Sequence, residues 1–190
     1  MMTTTLARPD QGALEAARHG IMARSEHWPA CEHAFLAAHP RCAACLPGQS
    51  LGAGVQVHHV WPFHWIKLLG FPWLELDFRN LIGLCEAEHT RPAEDHHLWL
   101  GHLGSFKSNN PNVREDAATF AGMTMAAIKG DARFAVKESI RAPDQLSDGE
   151  KVEIKARIAA LFGDRPPADL GWQPHGGLVA ERAEWERLAL

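Results

Sequence analysis

The sequence predicts an α+β fold, a small metal-bearing core flanked by N- and C-terminal helices. Two short strand-like runs, Val55–Val60 and Leu81–Leu84, stand between segments with helical caps and helical spacing. Soft metal ligands are concentrated: seven of twelve histidines and three of four cysteines fall within residues 42–102. That stretch opens with Cys42-Ala-Ala-Cys45 and closes with His96-His97-Leu98-Trp99-Leu100-Gly101-His102. At 190 residues the chain can bury one sizeable core and carry appendages.

In chain order, residues 1–24 read as a loose start followed by an Ala-rich helix over Asp10–Ala23. The first twenty residues hold no continuous apolar stretch, so neither a signal peptide nor a membrane span is expected. A second helix begins at Ser25 or Trp28 and ends at His39, with Pro29 in its first turn and Pro40 as its stop. Cys31 and Phe35 are four apart on one face, which suits a buried thiol better than a ligand. His27, His33 and His39 read as surface or cap residues.

Cys42-x2-Cys45 lets two thiolates reach one tetrahedral Zn²⁺ from a tight turn, and Cys85 supplies a third. A redox pair is the other use of such a spacing, but no thioredoxin-like βαβ pattern surrounds it. Four cysteines with this grouping suit a reducing compartment better than a disulfide framework, and a cytoplasmic location is expected. The fourth ligand is His89, at ordinary finger spacing from Cys85, or His96.

Val55-Gln56-Val57-His58-His59-Val60 alternates as a strand does and sends His58 and His59 to opposite sides. Residues 61–79 read as a long connection whose Trp61, Trp65, Phe71, Trp73 and Phe78 pack onto the core. Asn80 precedes the second strand. Residues 86–95 are polar, broken by Pro92, and read as a solvated insertion. Asp95 then caps a helix running to His102. On an ideal α-helix i and i+5 diverge by about 140°. His102 can therefore share a metal with His97 only if Gly101 breaks or tightens the last turn, packing or a phosphate contact being the alternative.

Lys107, Asn109 and Asn110 lie in a polar loop suited to touching a nucleic-acid backbone, and Glu115–Ile128 reads as a helix. Ser147-x-x-Glu150 is a capping box, followed by an apolar stripe of Ile154, Ile158, Leu161 and Phe162 that Gly163 and Pro166-Pro167 end. A Gly- and Pro-containing loop leads to a last amphipathic helix with Trp185 and Leu188.

The order of these residues resembles the HNH endonuclease family, in its zinc-containing bacterial and phage branch. The resemblance runs through Val57-His58-His59-Val60-x-Pro62-Phe63-His64, Leu74-Glu75-Leu76-Asp77 and Asn80-Leu81-Ile82-Gly83-Leu84-Cys85. It continues through His96-His97-Leu98, Gly101-His102-Leu103-Gly104 and Asn110-Pro111-Asn112-Val113. It covers roughly residues 24–118 as a nuclease domain, leaving 1–23 as an N-terminal extension and 119–190 as a helical C-terminal extension.

The resemblance implies a ββα-metal (His-Me finger) core that hydrolyses phosphodiester bonds of DNA, with RNA as the alternative substrate. His59 would be the general base. His58 and His97, with His102 as a further candidate, would hold a catalytic divalent ion (Mg²⁺, Mn²⁺, Ni²⁺ or Zn²⁺). Asn80 would brace the loop behind the base or join the metal. The family's placement of its last zinc ligand favours His96 over His89, completing Cys42, Cys45, Cys85 and His96 around a structural Zn²⁺. The rival reading is a zinc-stabilised nucleic-acid- or protein-binding module without catalysis.

The net charge of −4 opposes a strong non-specific grip on nucleic acid. Residues 1–110 carry eight Lys/Arg against ten Asp/Glu and the remainder eleven against thirteen, so neither part is a basic arm. No membrane partner is expected.

Overall fold

Two antiparallel strands, β1 (Gly54–His59) and β2 (Leu81–Glu86), form the sheet in a computed structural model of the chain. The structure describes residues 24–47, 54–86, 95–106, 108–135, 137 and 145–166. The expected helices at Asp10–Ala23 and around Trp185, the Gly171–Gly177 loop, His89 and Lys107 lie outside these. Register pairs Gly54 with Glu86 and runs to His58 with Ile82 and His59 with Leu81. The five residues Leu81–Cys85 are all buried, as expected of a strand covered on both faces.

Helix α1 (Trp28–Ala38) packs on β1, with Pro29 in its first turn and Trp28, Cys31 and Phe35 buried. Cys31 Sγ lies 3.5 Å from the Leu76 carbonyl, and burial pushes its pKa well up, so it is an inert core thiol. The connection after β1 is more ordered than its composition suggests. Pro62 opens a helix, α2 (Phe63–Leu68), and 3₁₀ turns follow at Pro72–Glu75 and Phe78–Asn80. Trp61, Phe63, Trp65, Phe71 and Trp73 are all fully buried. Each such ring stabilises the fold by roughly 1.5–3 kcal/mol relative to leaving it exposed. These aromatics are the core beneath the strands.

The helix after Asp95 is a widened one: His97–Gly101 forms a π turn that packs on both strands. Beyond it, the helix expected over Glu115–Ile128 divides into α3 (Val113–Thr119) and α4 (Met125–Gly130). Gly122 is the cause. Its φ of +76° leaves the right-handed region, and its N–H donates to the Ala44 carbonyl at 2.9 Å. Leu46 occupies the space a Cβ would need. The break thus docks the chain on the cysteine turn.

A short α5 (Ala132–Ala135) precedes α6 (Asp148–Phe162), which starts at the expected capping box of Ser147 and Glu150 and ends at Gly163. Ile154, Ile158, Ala159 and Phe162 of α6 face the core, whereas Leu161 is 60% exposed. One core cluster runs from Trp28 to Ile158. Among the described residues no helix is long and apolar enough to cross a membrane.

Candidate metal centres

Two groups of ligand atoms converge on either side of the π turn. The first is Cys42, Cys45, Cys85 and His96, whose ligand atoms all lie within 4.8 Å of one another. The turn that holds the first two cysteines is closed by the Cys45 N–H on the Cys42 carbonyl and by the Ala43 N–H on the Gly83 carbonyl. A side chain at Gly83 would meet the Arg41 carbonyl at 3.2 Å and Val55 at 3.0 Å. Glycine there lets the cysteine turn lie flat on β2 beside Cys85.

His96 is carried at the start of the π turn. Asp95 fixes that start: its Oδ1 accepts from the Leu98 N–H at 2.7 Å and its carbonyl from the Trp99 N–H at 3.0 Å. The His96 Nδ1 then faces all three sulfurs, 3.4 Å from Cys42, 3.8 Å from Cys45 and 3.2 Å from Cys85. The Cys45 and Cys85 sulfurs are 4.0 Å apart. Zn–S bonds of about 2.3 Å and Zn–N bonds of about 2.0 Å give tetrahedral edges of about 3.5–3.8 Å. The donor set and its spacing therefore fit a metal such as zinc.

The cluster is electrostatically prepared. A hydrogen bond from Cys85 pulls the Cys42 thiol far below its ordinary pKa against the opposing effect of burial, and the same pairing raises Cys85. The uptake of a metal would release the retained thiol protons. If His96 rather than His89 closes the site, His96→Ala should lose zinc while His89→Ala keeps it, which metal analysis of the two purified variants will decide.

The second group is His58, His97 and His102, again with one ligand atom each within 4.8 Å. Their ring centroids are 4.8–5.2 Å apart. The expected condition on His102, a broken or tightened last turn, is replaced by its opposite. In a π turn the hydrogen-bond repeat lengthens to i,i+5, so His97 and His102 come to one side by widening. Burial, and then the neighbouring His102, His97 and His59, hold the His58 pKa well below its usual value. His58 is therefore neutral, as a metal ligand must be. Among the described residues its buried Nε2 has no hydrogen-bond partner. The His102 Nδ1 lies 2.9 Å from the Ser108 carbonyl, which can only accept. That bond puts the proton on Nδ1 and leaves the lone pair on Nε2.

The π turn is held open by Asn110, which the sequence placed in a polar loop touching a nucleic-acid backbone and which is buried instead. The Asn110 N–H donates to the Gly101 carbonyl at 3.0 Å, and its Nδ2 to the Leu100 carbonyl at 2.8 Å and to Asp116 Oδ2 at 2.7 Å. Lys137 pairs with the same buried carboxylate. Gly101 is equally specific: a Cβ there would lie 2.9 Å from His58 Cε1. Gly101→Ala should displace His58, cost about 1–3 kcal/mol of stability and weaken divalent-ion binding by the three histidines. Zinc content should be unchanged. Calorimetric titration of the zinc-loaded variant checks this, and wild-type affinity would show that His58 need not approach the helix.

His59 and Asn80 stand outside both groups. His59 is only 6% exposed; its Nε2 lies 3.0 Å from the Glu75 carbonyl and its ring packs 4.5 Å from Trp28. Because the carbonyl accepts, Nε2 carries the proton and Nδ1 the lone pair. Asn80 is fully buried. Its Oδ1 accepts from the Trp61 N–H at 2.9 Å, and its Nδ2 donates to the Trp61 and Leu74 carbonyls. These bonds tie the end of β1 to the turn carrying Glu75.

Asn109, expected to face a phosphate backbone, is buried instead and donates to the Val60 carbonyl at 3.2 Å. Polar composition marked its loop as solvated, but the amide serves an internal carbonyl. Asp95 caps its helix as expected, with its side chain buried. Comparison with protein-family models, with curated proteins and with solved structures found no match.

Proposed function

We propose that the protein is a metal-dependent phosphodiesterase acting on DNA, with the strand pair and the π turn forming a ββα-metal core. The observation that carries this reading is the convergence of His58, His97 and His102 on one point, beside a strand whose next residue is His59. Three neutral imidazoles suit a borderline divalent ion such as Ni²⁺, Zn²⁺ or Mn²⁺. Such an ion, when bound, stabilises negative charge on the leaving oxygen of a phosphodiester.

The protein's own residues supply the rest. His59 Nδ1 accepts a proton from water as the water oxygen bonds to phosphorus. The bond from phosphorus to the departing sugar oxygen breaks, and that oxygen takes up a proton from solvent. The Glu75 carbonyl and Trp28 hold the base in orientation, and Asn80 holds the turn that presents the carbonyl. The Cys42, Cys45, Cys85 and His96 cluster, loaded with zinc, ties β2 to the start of the π turn and so fixes His97 relative to the strands.

A zinc-held binding module without catalysis is the second reading. The close enclosure of His59 by Trp28 and the Glu75 carbonyl favours it. Plasmid nicking decides between them: metal-dependent nicking abolished by EDTA is expected, and no nicking with any of Mg²⁺, Mn²⁺, Ni²⁺ or Zn²⁺ would leave the binding module. Parallel assays on duplex DNA, single-stranded DNA and RNA identify the substrate.

A further inference from the structure

A cleft of about 470 Å³ opens between the C-terminal end of α1, the cysteine turn and β2. None of its lining residues is acidic, while His39, Arg41 and Arg114 all line it. In a chain with 23 acidic residues against 19 Lys and Arg, that is a local reversal of charge. Neither arginine forms an ion pair among the described residues.

The cleft is a built feature. Arg114 uses a single nitrogen, Nη2, to bond the Phe78, Arg79 and Leu81 carbonyls, and its other two guanidinium nitrogens make no bond among the described residues. Asp77, the carboxylate that acts on Arg114 through space, is already closed by Arg79 at 2.6 Å. Gly83 has no side chain to lift the Arg41 backbone off β2. On the facing wall His39 packs 4.7 Å from Phe35, which packs 5.1 Å from Phe78, giving a stiff aromatic edge.

The cleft also adjoins the candidate site. Leu81 and Ile82, which line it, are the cross-strand partners of His59 and His58. A guanidinium with two nitrogens still able to donate, beside a second arginine, is suited to a phosphate's several oxygens. The apolar edge suits the sugar or base next to it.

We infer that this cleft binds a backbone phosphate of the nucleic-acid substrate and so sets the register of the strand at the candidate site. The inference rests on the phosphodiesterase reading for its ligand. The shared chemistry is phosphate, and a free mononucleotide is the other source.

The test uses zinc-loaded full-length protein without further divalent ion and a fluorescently labelled DNA duplex, followed by anisotropy across a salt series. Arg41→Ala and Arg41→Glu should weaken binding by about threefold to tenfold and flatten the salt slope by about one unit, as losing one phosphate contact does. Arg41→Lys should retain most of the affinity. Arg133→Ala, an exposed arginine paired with Asp131 outside the cleft, should bind as wild type. Arg114→Lys provides a second variant that keeps charge while losing the guanidinium's remaining donors, and should also bind more weakly.

Adenosine monophosphate titrated into the wild type is the other arm. Binding as tight as that of the duplex, lost in Arg41→Glu, would keep the phosphate site and assign it to free nucleotides. Wild-type affinity and slope in both Arg41→Ala and Arg41→Glu overturn the cleft, and if nicking persists the phosphodiesterase reading stands without it. A wild type that binds neither duplex nor mononucleotide also overturns it, while absence of nicking alone would count only against the phosphodiesterase.

Discussion

Cys42→Ser is expected to reduce bound zinc from about one per chain to near none, and to lower the melting temperature by on the order of 10 °C or more. Structural zinc sites bind with apparent free energies of about 10–16 kcal/mol, comparable to the roughly 5–15 kcal/mol that holds a whole domain folded. The site joins three parts of the chain: the turn of Cys42 and Cys45, β2 through Cys85, and the π turn through His96. Losing one thiolate leaves the Cys45 and Cys85 sulfurs and an imidazole nitrogen one ligand short of a tetrahedral set. Cys31→Ser is the control, since its thiol lies against the Leu76 carbonyl and not in the cluster. It should keep its zinc at a small cost in stability. Metal analysis and thermal melting of both variants suffice, and equal zinc loss in the two would show that the wrong cysteines have been assigned.

The ligands of this cluster were legible because zinc imposes its own local spacing. Two residues between Cys42 and Cys45 make a turn whatever the rest of the fold does. Cys85 and His96 were harder to choose from spacing alone, because residues 86–95 separate them and His89 competes. The cores of both strands were equally legible, since Val55 and Val57 alternate and Leu81–Leu84 is continuously apolar. What stayed hidden depends on contacts distant in sequence. The 3.6-residue repeat argued against His97 and His102 sharing an ion, and nothing in the helix's own residues announces a π turn. It is maintained from outside, by Asn110 on the Leu100 and Gly101 carbonyls. The break at Gly122 was hidden for the same reason, because its cause is the Leu46 side chain 76 positions earlier. Asn109 and Asn110 were misplaced by the same habit, which reads polarity as exposure. Both satisfy backbone groups inside the fold.

His59→Ala is expected to fold, to keep its zinc and to lower the cleavage rate by about 10²- to 10⁴-fold, the usual contribution of a positioned general base. The prediction follows from where the ring stands. His59 contributes no atom to either ligand group, so its removal leaves metal binding intact. Its Nε2–H is committed to the Glu75 carbonyl, leaving Nδ1 as the atom able to take a proton. His58→Ala and His97→Ala differ in kind, because each removes an imidazole from the convergent group. Raising the concentration of added Mn²⁺ or Ni²⁺ should restore part of their activity and none of that lost in His59→Ala. Truncating His59 also opens a space beside Trp28, so a melting curve must accompany the kinetics; a loss of about 1–3 kcal/mol is compatible with a folded enzyme. A folded, zinc-replete His59→Ala that cuts at the wild-type rate would sink the mechanism. Wild-type protein that binds DNA through the Arg41 cleft yet never cuts it, with any of the four ions, would instead assign His59 to the core alongside Trp28.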